Sequence, residues 1–304
     1  MLISTLPSAN KLKQIEEMFS NPSIVGARYN VGIRSSYGPH MTLMMVSKVA
    51  KATNKDLWVD LKGRQLRIQT WADPTYGDIE LNHAIEVDLP AKVYFRGDQS
   101  STLVQYSGNK IVVDPDPPNA LGAGQAINII GNNLKIKGDY LTNTDKEYLE
   151  AAQKLGVKNF MLSFVEQESD LQEVRNYIPD ANLILKIESI GGLRYVANDY
   201  HKTSKCNLMA ARDDLMINIG DNKANMIPAL ELIVAKDPDA VLASHLFRSL
   251  EHSGGLAMGD ISDIVLMKDM GYKNFMLSDG VAHHHFEEAV KYWNDINKWY
   301  KDHN

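Results

Sequence analysis

Four segments of the chain place two polar residues two positions apart inside otherwise apolar sequence: Arg28 and Asn30, Asp60 and Lys62, Lys186 and Glu188, Arg212 and Asp214. On a β-strand, residues two apart point to the same side. Each pair would therefore face one way while Tyr29, Leu61, Ile187 and Asp213 face the other. Glu188 and Asp214 suit a hard divalent ion such as Mg²⁺ or Mn²⁺, which takes one or two carboxylates and leaves its remaining positions to water and substrate oxygens. Lys186 and Arg28 would add positive charge beside an anionic substrate and stabilise an oxyanion or enolate as it forms. A set of buried ion pairs that satisfy only one another is the alternative. Buried charge is costly unless well paired, so four pairs at the same end of their strands favour a site.

Other candidates carry less. Ser244 closes an apolar run, where a hydroxyl can orient water, donate a proton or cap a helix. His245 follows it, and His283-His284-His285 fit either a metal or a solvated helix start. Trp71, Trp293 and Trp299 belong to no motif, and Gly254-Gly255 is too short for a phosphate loop.

The elements that must hold these pairs alternate between short apolar strands and helical stretches. Strands are expected at 2–6, 24–30, 57–62, 160–165, 183–188, 208–214, 240–244 and 275–278, with helical patterns at 11–19, 42–53, 145–155, 171–178 and 225–235 between them. Apolar strands alternating with helices imply a parallel sheet of the α/β class. Eight units fit a closed (β/α)₈ TIM barrel better than a doubly wound sheet. The hexapeptide Lys158-Asn159-Phe160-Met161-Leu162-Ser163 recurs at 273–278, which would make it strands four and eight. A barrel gathers the ends of its strands at one mouth, where its chemistry sits.

Residues 64–140 break the rhythm. Short β-like runs at 78–87, 92–96, 102–106, 111–113 and 127–136 are separated by turns such as Asp114-Pro115-Asp116-Pro117-Pro118-Asn119. They predict a small β-rich, lid-like subdomain inserted after strand three into a barrel formed by 1–63 and 141–304.

The chain has 304 residues, 38 acidic against 32 basic, and a formal charge of −6 without a Lys/Arg block. That argues against nucleic acid as a partner. Apolar runs such as 43–46 and 232–235 end after four residues, whereas a membrane span needs about 20. The first residues lack a signal-peptide pattern, and one cysteine, Cys206, excludes an internal disulfide. A cytoplasmic protein is expected.

Several segments together resemble the pyruvate kinase family. Asp60-Leu61-Lys62-Gly63 with Leu66-Arg67 is similar to its third-strand motif, and Leu141-Thr142 with Asp145-Lys146 to its entry into the third barrel helix. Leu162-Ser163-Phe164-Val165 resembles its fourth strand and Lys186-Ile187-Glu188 its fifth. Met209-Ala210-Ala211-Arg212-Asp213-Asp214-Leu215 resembles its sixth, and Ser262-Asp263 and Met276-Leu277-Ser278 resemble later segments.

The resemblance implies Glu188 and Asp214 as divalent-metal ligands, Lys186 as the lysine stabilising the enolate, and Arg28 as a phosphate contact. It implies Ser244 in the place of a threonine tied to enolate protonation, and Asn30 and Asp60 as ligands of a monovalent cation. Arg67 is placed with them on the ligand-binding side. There are departures. Gly32 stands where the family has a serine ligand, Gln65 replaces an acidic residue near that cation, and Asp213 replaces a glycine. These departures weaken the case for K⁺. Asp279-Gly280 alters the segment after strand eight, and the family's C-terminal allosteric domain has no counterpart.

The expected function is a divalent-metal-dependent enzyme acting on phosphoenolpyruvate or pyruvate through an enolate, with phosphoryl transfer and an ADP/ATP partner slightly favoured. The alternatives are an oxo-acid lyase, aldolase or decarboxylase without nucleotide, and a non-catalytic ligand sensor. A small anionic oxo-acid is the expected ligand, and a homo-oligomer the expected assembly.

Overall fold

The computed structural model describes residues 1–73, 75–96 and 99–303. The eight apolar runs form strands Leu2–Thr5, Ile24–Asn30, Asp56–Leu61, Asn159–Leu162, Asn182–Ile187, Cys206–Ala211, Val241–Ala243 and Asn274–Met276. Each pairs in parallel with its neighbours, and the first closes the ring against the last. Alternation along each strand builds two cores. Ile3, Met161, Ile184, Met209, Val241 and Met276 fill the interior, while Phe160, Leu162, Leu185, Leu208, Leu242 and Phe275 pack outward with the helices. The repeated hexapeptide thus solves the same problem on strands four and eight, with Met inside and Phe and Leu outside.

Strand six is shorter than the sequence predicts. It stops at Ala211, and Arg212 and Asp214 lie on the helix Arg212–Asn218. These two residues therefore do not share a strand face. Likewise, the three histidines end a helix instead of starting one, since Asp279–His284 precedes Phe286–His303. Among the described residues, no group of three or more His, Cys, Asp or Glu side chains forms a metal cage. None of their helices is long and apolar enough to cross a membrane.

Between barrel strands three and four lies an antiparallel five-stranded sheet in the order Ile79–Glu80, Lys110–Asp114, Gln99–Ser107, Ala91–Arg96, Asn128–Ile130. Lys135–Lys137 pairs separately with Ala84–Glu86. The sheet has its own core, including Leu81, Val93, Leu103 and Ile111. Two expected runs are each broken into two strands. Asn82 interrupts the first by bonding the Arg67 N–H and the Gln65 carbonyl. Gly131 interrupts the second where a side chain would meet Val87 and Ala91.

The exit from strand three is fixed before the chain enters this sheet. Asp145 forms a capping box with Thr142 at the start of helix Asn143–Leu155, a reciprocal pairing that satisfies free N–H groups. The same carboxylate accepts from Lys62 N at 2.8 Å and Gly63 N at 3.0 Å. Gly63 has φ +48°, and a Cβ there would fall 2.4 Å from the Tyr140 ring. Tyr140 in turn donates to the Ser163 carbonyl at 2.7 Å. Gly63→Ala combines a left-handed alanine with a clash in a packed core and should cost about 2–4 kcal/mol. Gly156→Ala, at φ +68° in open space, should cost about 1–2 kcal/mol. Urea denaturation of both variants checks the difference.

Candidate active site

Asp60 sits at the C-terminal end of strand three with no exposed surface. Its Oδ2 accepts from Arg28 Nε at 2.9 Å and Nη2 at 2.5 Å, and from Lys62 Nζ at 3.1 Å. Its Oδ1 faces Lys186 Nζ and the Ser163 hydroxyl, each at 3.5 Å. One carboxylate is thus shared by three buried cations. Burial alone would raise the Asp60 carboxyl, but Arg28, Lys186 and Lys62 hold it far below the usual carboxylate range. Arg28 also reaches Asp279 at 3.2 Å. Burial opposes its charge, and the two carboxylates outweigh that and raise its pKa.

Lys186, on strand five, donates to Ser163 Oγ at 2.8 Å and pairs with Glu188 Oε1 at 3.1 Å. Burial works against its charge, yet Asp60 and Glu188 keep it ionised and raise its pKa. Glu188 also accepts the Phe164 N–H through Oε2 at 2.7 Å. Burial pushes the Glu188 carboxyl up to about 7; Lys186 opposes this and Asp214 adds to it. A divalent ion between Glu188 and Asp214 would relieve both the burial and the repulsion, so the residues present fit such an ion. Burial lowers Lys62 to about 8, with repulsion from Arg67, Arg28 and Lys186 adding to it against the attraction of Asp60. Four cations, Arg28, Lys62, Lys186 and Arg67, thus meet the carboxylates of Asp60, Asp279, Glu188 and Asp214 at this end of the barrel.

Asp214 reaches this region from the first turn of Arg212–Asn218. Its Oδ1 accepts from Asn128 of the inserted sheet at 3.1 Å, and Asn128 accepts from Asn218 at 2.9 Å. Arg212 does not join the cluster. It turns away to pair with Asp263 and to hold the Ser244 carbonyl at 2.5 Å. Ser244 lies beyond strand seven at φ +67°, followed by His245 at +63° and Phe247 at +55°. It caps no helix, because the next one begins at Arg248 with Phe247 at its cap. His245 Nε2 lies 3.0 Å from Asp213 Oδ1, and Asp213 is 57 % exposed at the mouth.

Asn30 and Arg67 stand apart from the Asp60 carboxylate. Asn30 Oδ1 accepts the Gly32 N–H at 2.9 Å, while Arg67 donates to Gln65 Oε1 at 3.1 and 2.6 Å. Arg67 borders a cleft of about 690 Å³ between barrel and inserted sheet, lined also by Lys62, Arg34, His83, Lys137 and Lys146 among others.

Sequence reasoning missed Ser163, Asp279 and Asn128 as site residues. Ser163 was legible in principle, since it follows the inward-facing Met161 by two positions. Asp279 is reached only through strand closure, and Asn128 only through the docking of the inserted sheet.

Residues 108–286, more than half of the chain, match the family model described as pyruvate kinase, barrel domain. The chain belongs to the pyruvate kinase family. It is 24% identical over 295 residues to a pyruvate kinase of Borreliella burgdorferi, covering 86% of this chain and 60% of that one. A pyruvate kinase of Thermoplasma acidophilum is 22% identical over 267 residues, covering 77% and 46%. The chain thus spans only about half to three fifths of these relatives' length. The crystal structure of Cryptosporidium parvum pyruvate kinase superimposes with a TM-score of 0.68 at 19% identity, over 93% of this chain and 66% of that one. That likeness establishes the shared fold.

Removing one member of a buried charge cluster leaves the others uncompensated. Asp60→Asn should therefore cost about 3–5 kcal/mol, read as a lowered denaturation midpoint. A cost below about 1 kcal/mol, the range of exposed pairs, would mean that Asp60 does not hold the cluster together.

Proposed function

We propose that the barrel mouth forms or consumes the enolate of a pyruvate-type oxo-acid, with phosphoryl transfer between phosphoenolpyruvate and a nucleoside diphosphate as the favoured reaction. The observation that carries this is the placement of Lys186, whose ammonium is held between Glu188, Asp60 and the Ser163 hydroxyl beside a carboxylate pair. Glu188 and Asp214 would hold a divalent ion, which supplies Lewis-acid stabilisation to substrate oxygens when bound. Lys186, fixed on a rigid strand, meets charge developing on an enolate or transferring phosphoryl oxygen without having to reorganise. Arg28, oriented by Asp60 and Asp279, faces the anionic end of the substrate. Ser244 offers a hydroxyl at the mouth for proton delivery. The cationic cleft beside Lys62 and Arg67 supports a nucleotide phosphate chain as the second ligand, with residues 64–140 acting as a lid over it.

A second reading, an oxo-acid lyase or aldolase working without nucleotide, draws on Asp213 and His245. They place a carboxylate and an imidazole on the mouth where the family has a glycine in place of Asp213.

The unaltered protein is expected to exchange the methyl protons of pyruvate for deuterium in D₂O, followed by proton NMR, only when Mg²⁺ or Mn²⁺ is present. Absence of exchange with either ion would remove the enolate reading. Glu188→Ala should weaken Mn²⁺ binding by more than about 100-fold in calorimetry while the fold survives. Lys186→Met should slow exchange on the order of 10²–10³-fold and still bind Mn²⁺. Product formation that requires ADP selects the kinase over the lyase.

A further inference from the structure

Two departures from the family pattern meet at one place that the favoured reaction leaves unused. Asp213 stands for a glycine, and Asp279-Gly280 alters the exit from strand eight. On their side of the mouth, beyond the ends of strands six, seven and eight, lies a cavity of about 430 Å³. Small-molecule sites occupy about 300–1,000 Å³.

The polar wall of this cavity is tied together in a fixed order. Arg248 donates to His245 Nδ1 at 2.8 Å and to His252 Nε2 at 3.2 Å. With Nδ1 accepting, His245 carries its proton on Nε2 and donates to Asp213 Oδ1 at 3.0 Å. Ser244 and His245 hold left-handed backbone, a costly conformation for residues other than glycine that is kept where a ligand clamp needs it. Across the cavity, Glu251 lays its carboxylate on the bare backbone of Gly280, where a Cβ would fall 1.4 Å from Oε1.

The cavity therefore sets two carboxylates, Asp213 and Glu251, against one guanidinium, Arg248, with Met216, Ile217 and Leu246 as its apolar part. An anion would meet both negative charges, and a cation would face Arg248. A hydroxyl both donates and accepts. Neighbouring hydroxyls on one carbon chain thus suit the carboxylates and the guanidinium together, while the C–H face of that chain covers Met216 and Ile217.

We propose that this cavity is a subsite for an uncharged, polyhydroxylated co-substrate bound beside the oxo-acid at the mouth. The inference rests on the enolate reading only for the identity of that neighbour.

The test titrates erythritol into the unaltered protein by saturation-transfer difference NMR, with and without oxalate and Mg²⁺ as a planar dianion of enolate shape. Erythritol should bind saturably, and n-butanol, the same carbon chain with one hydroxyl, about tenfold or more weakly. Arg248→Met should weaken erythritol binding about tenfold. Gly280→Ala should do the same by displacing the Glu251 carboxylate while every polar group is kept. Thermal melting verifies that both variants are folded. Absence of saturable erythritol binding overturns the proposal, as does equal affinity for n-butanol. Erythritol binding that neither variant weakens overturns the assignment to this cavity. Failure of the unaltered protein to bind oxalate would count against the enolate reading, and the erythritol titration without oxalate would still decide this inference.

Discussion

Much of the mouth of this barrel depends on one carboxylate serving three cations. Asp60 is fully buried, and Arg28, Lys62 and Lys186 are gathered around its single charge. Burying any of these cations alone would be prohibitive. Together they are tolerable because each donor has a defined acceptor, and Asp279, Glu188 and Ser163 take the N–H groups that Asp60 does not. The geometry of the reactive end therefore follows from electrostatic satisfaction rather than from loop conformation.

The rigid frame beneath makes this arrangement possible. Strand ends two, three and five deliver Arg28, Asp60 and Lys186 side by side because parallel strands keep register across the ring. Asp145 pins the backbone at Lys62 and Gly63, which fixes where the chain leaves for the inserted sheet. Strand six plays a different part. It ends early, and its polar residues act from a short helix, so Asp214 reaches the site while Arg212 braces the left-handed turn at Ser244.

The strand pattern was legible because barrel strands covered on both faces are continuously apolar, and a run of four such residues stands out against amphipathic helices. Asp60 and Lys62, like Lys186 and Glu188, meet as ion pairs at 3.1 Å, although Lys62 and Glu188 lie one residue past the ends of their strands. Arg212 and Asp214 were misplaced on a strand, because hydrophobic periodicity does not mark the residue at which an apolar strand turns helical. Ser163 was overlooked because a serine at a strand end has many ordinary uses, and its importance lies in Lys186, distant in sequence. Asn128 left no local trace: its role exists only once a separate sheet has folded and docked. The hexapeptide repeat was a true signal of position four and eight, although Ser163 and Ser278 serve different ends, one bonded to Lys186 and the other capping the helix Asp279–His284.

The contact of Asn128 with Asp214 and Asn218 makes the inserted sheet and the barrel mouth thermodynamically reciprocal. An amide that donates to Asp214 competes with anything else that claims the same oxygen lone pair. A ligand that displaced this amide would weaken the docking of the sheet, and the docked sheet would lower that ligand's affinity by the same factor. One hydrogen bond is worth about 1 kcal/mol net, so the coupling through this contact amounts to roughly fivefold. That is enough to bias the docking of the sheet on the barrel and too little to hold it there alone.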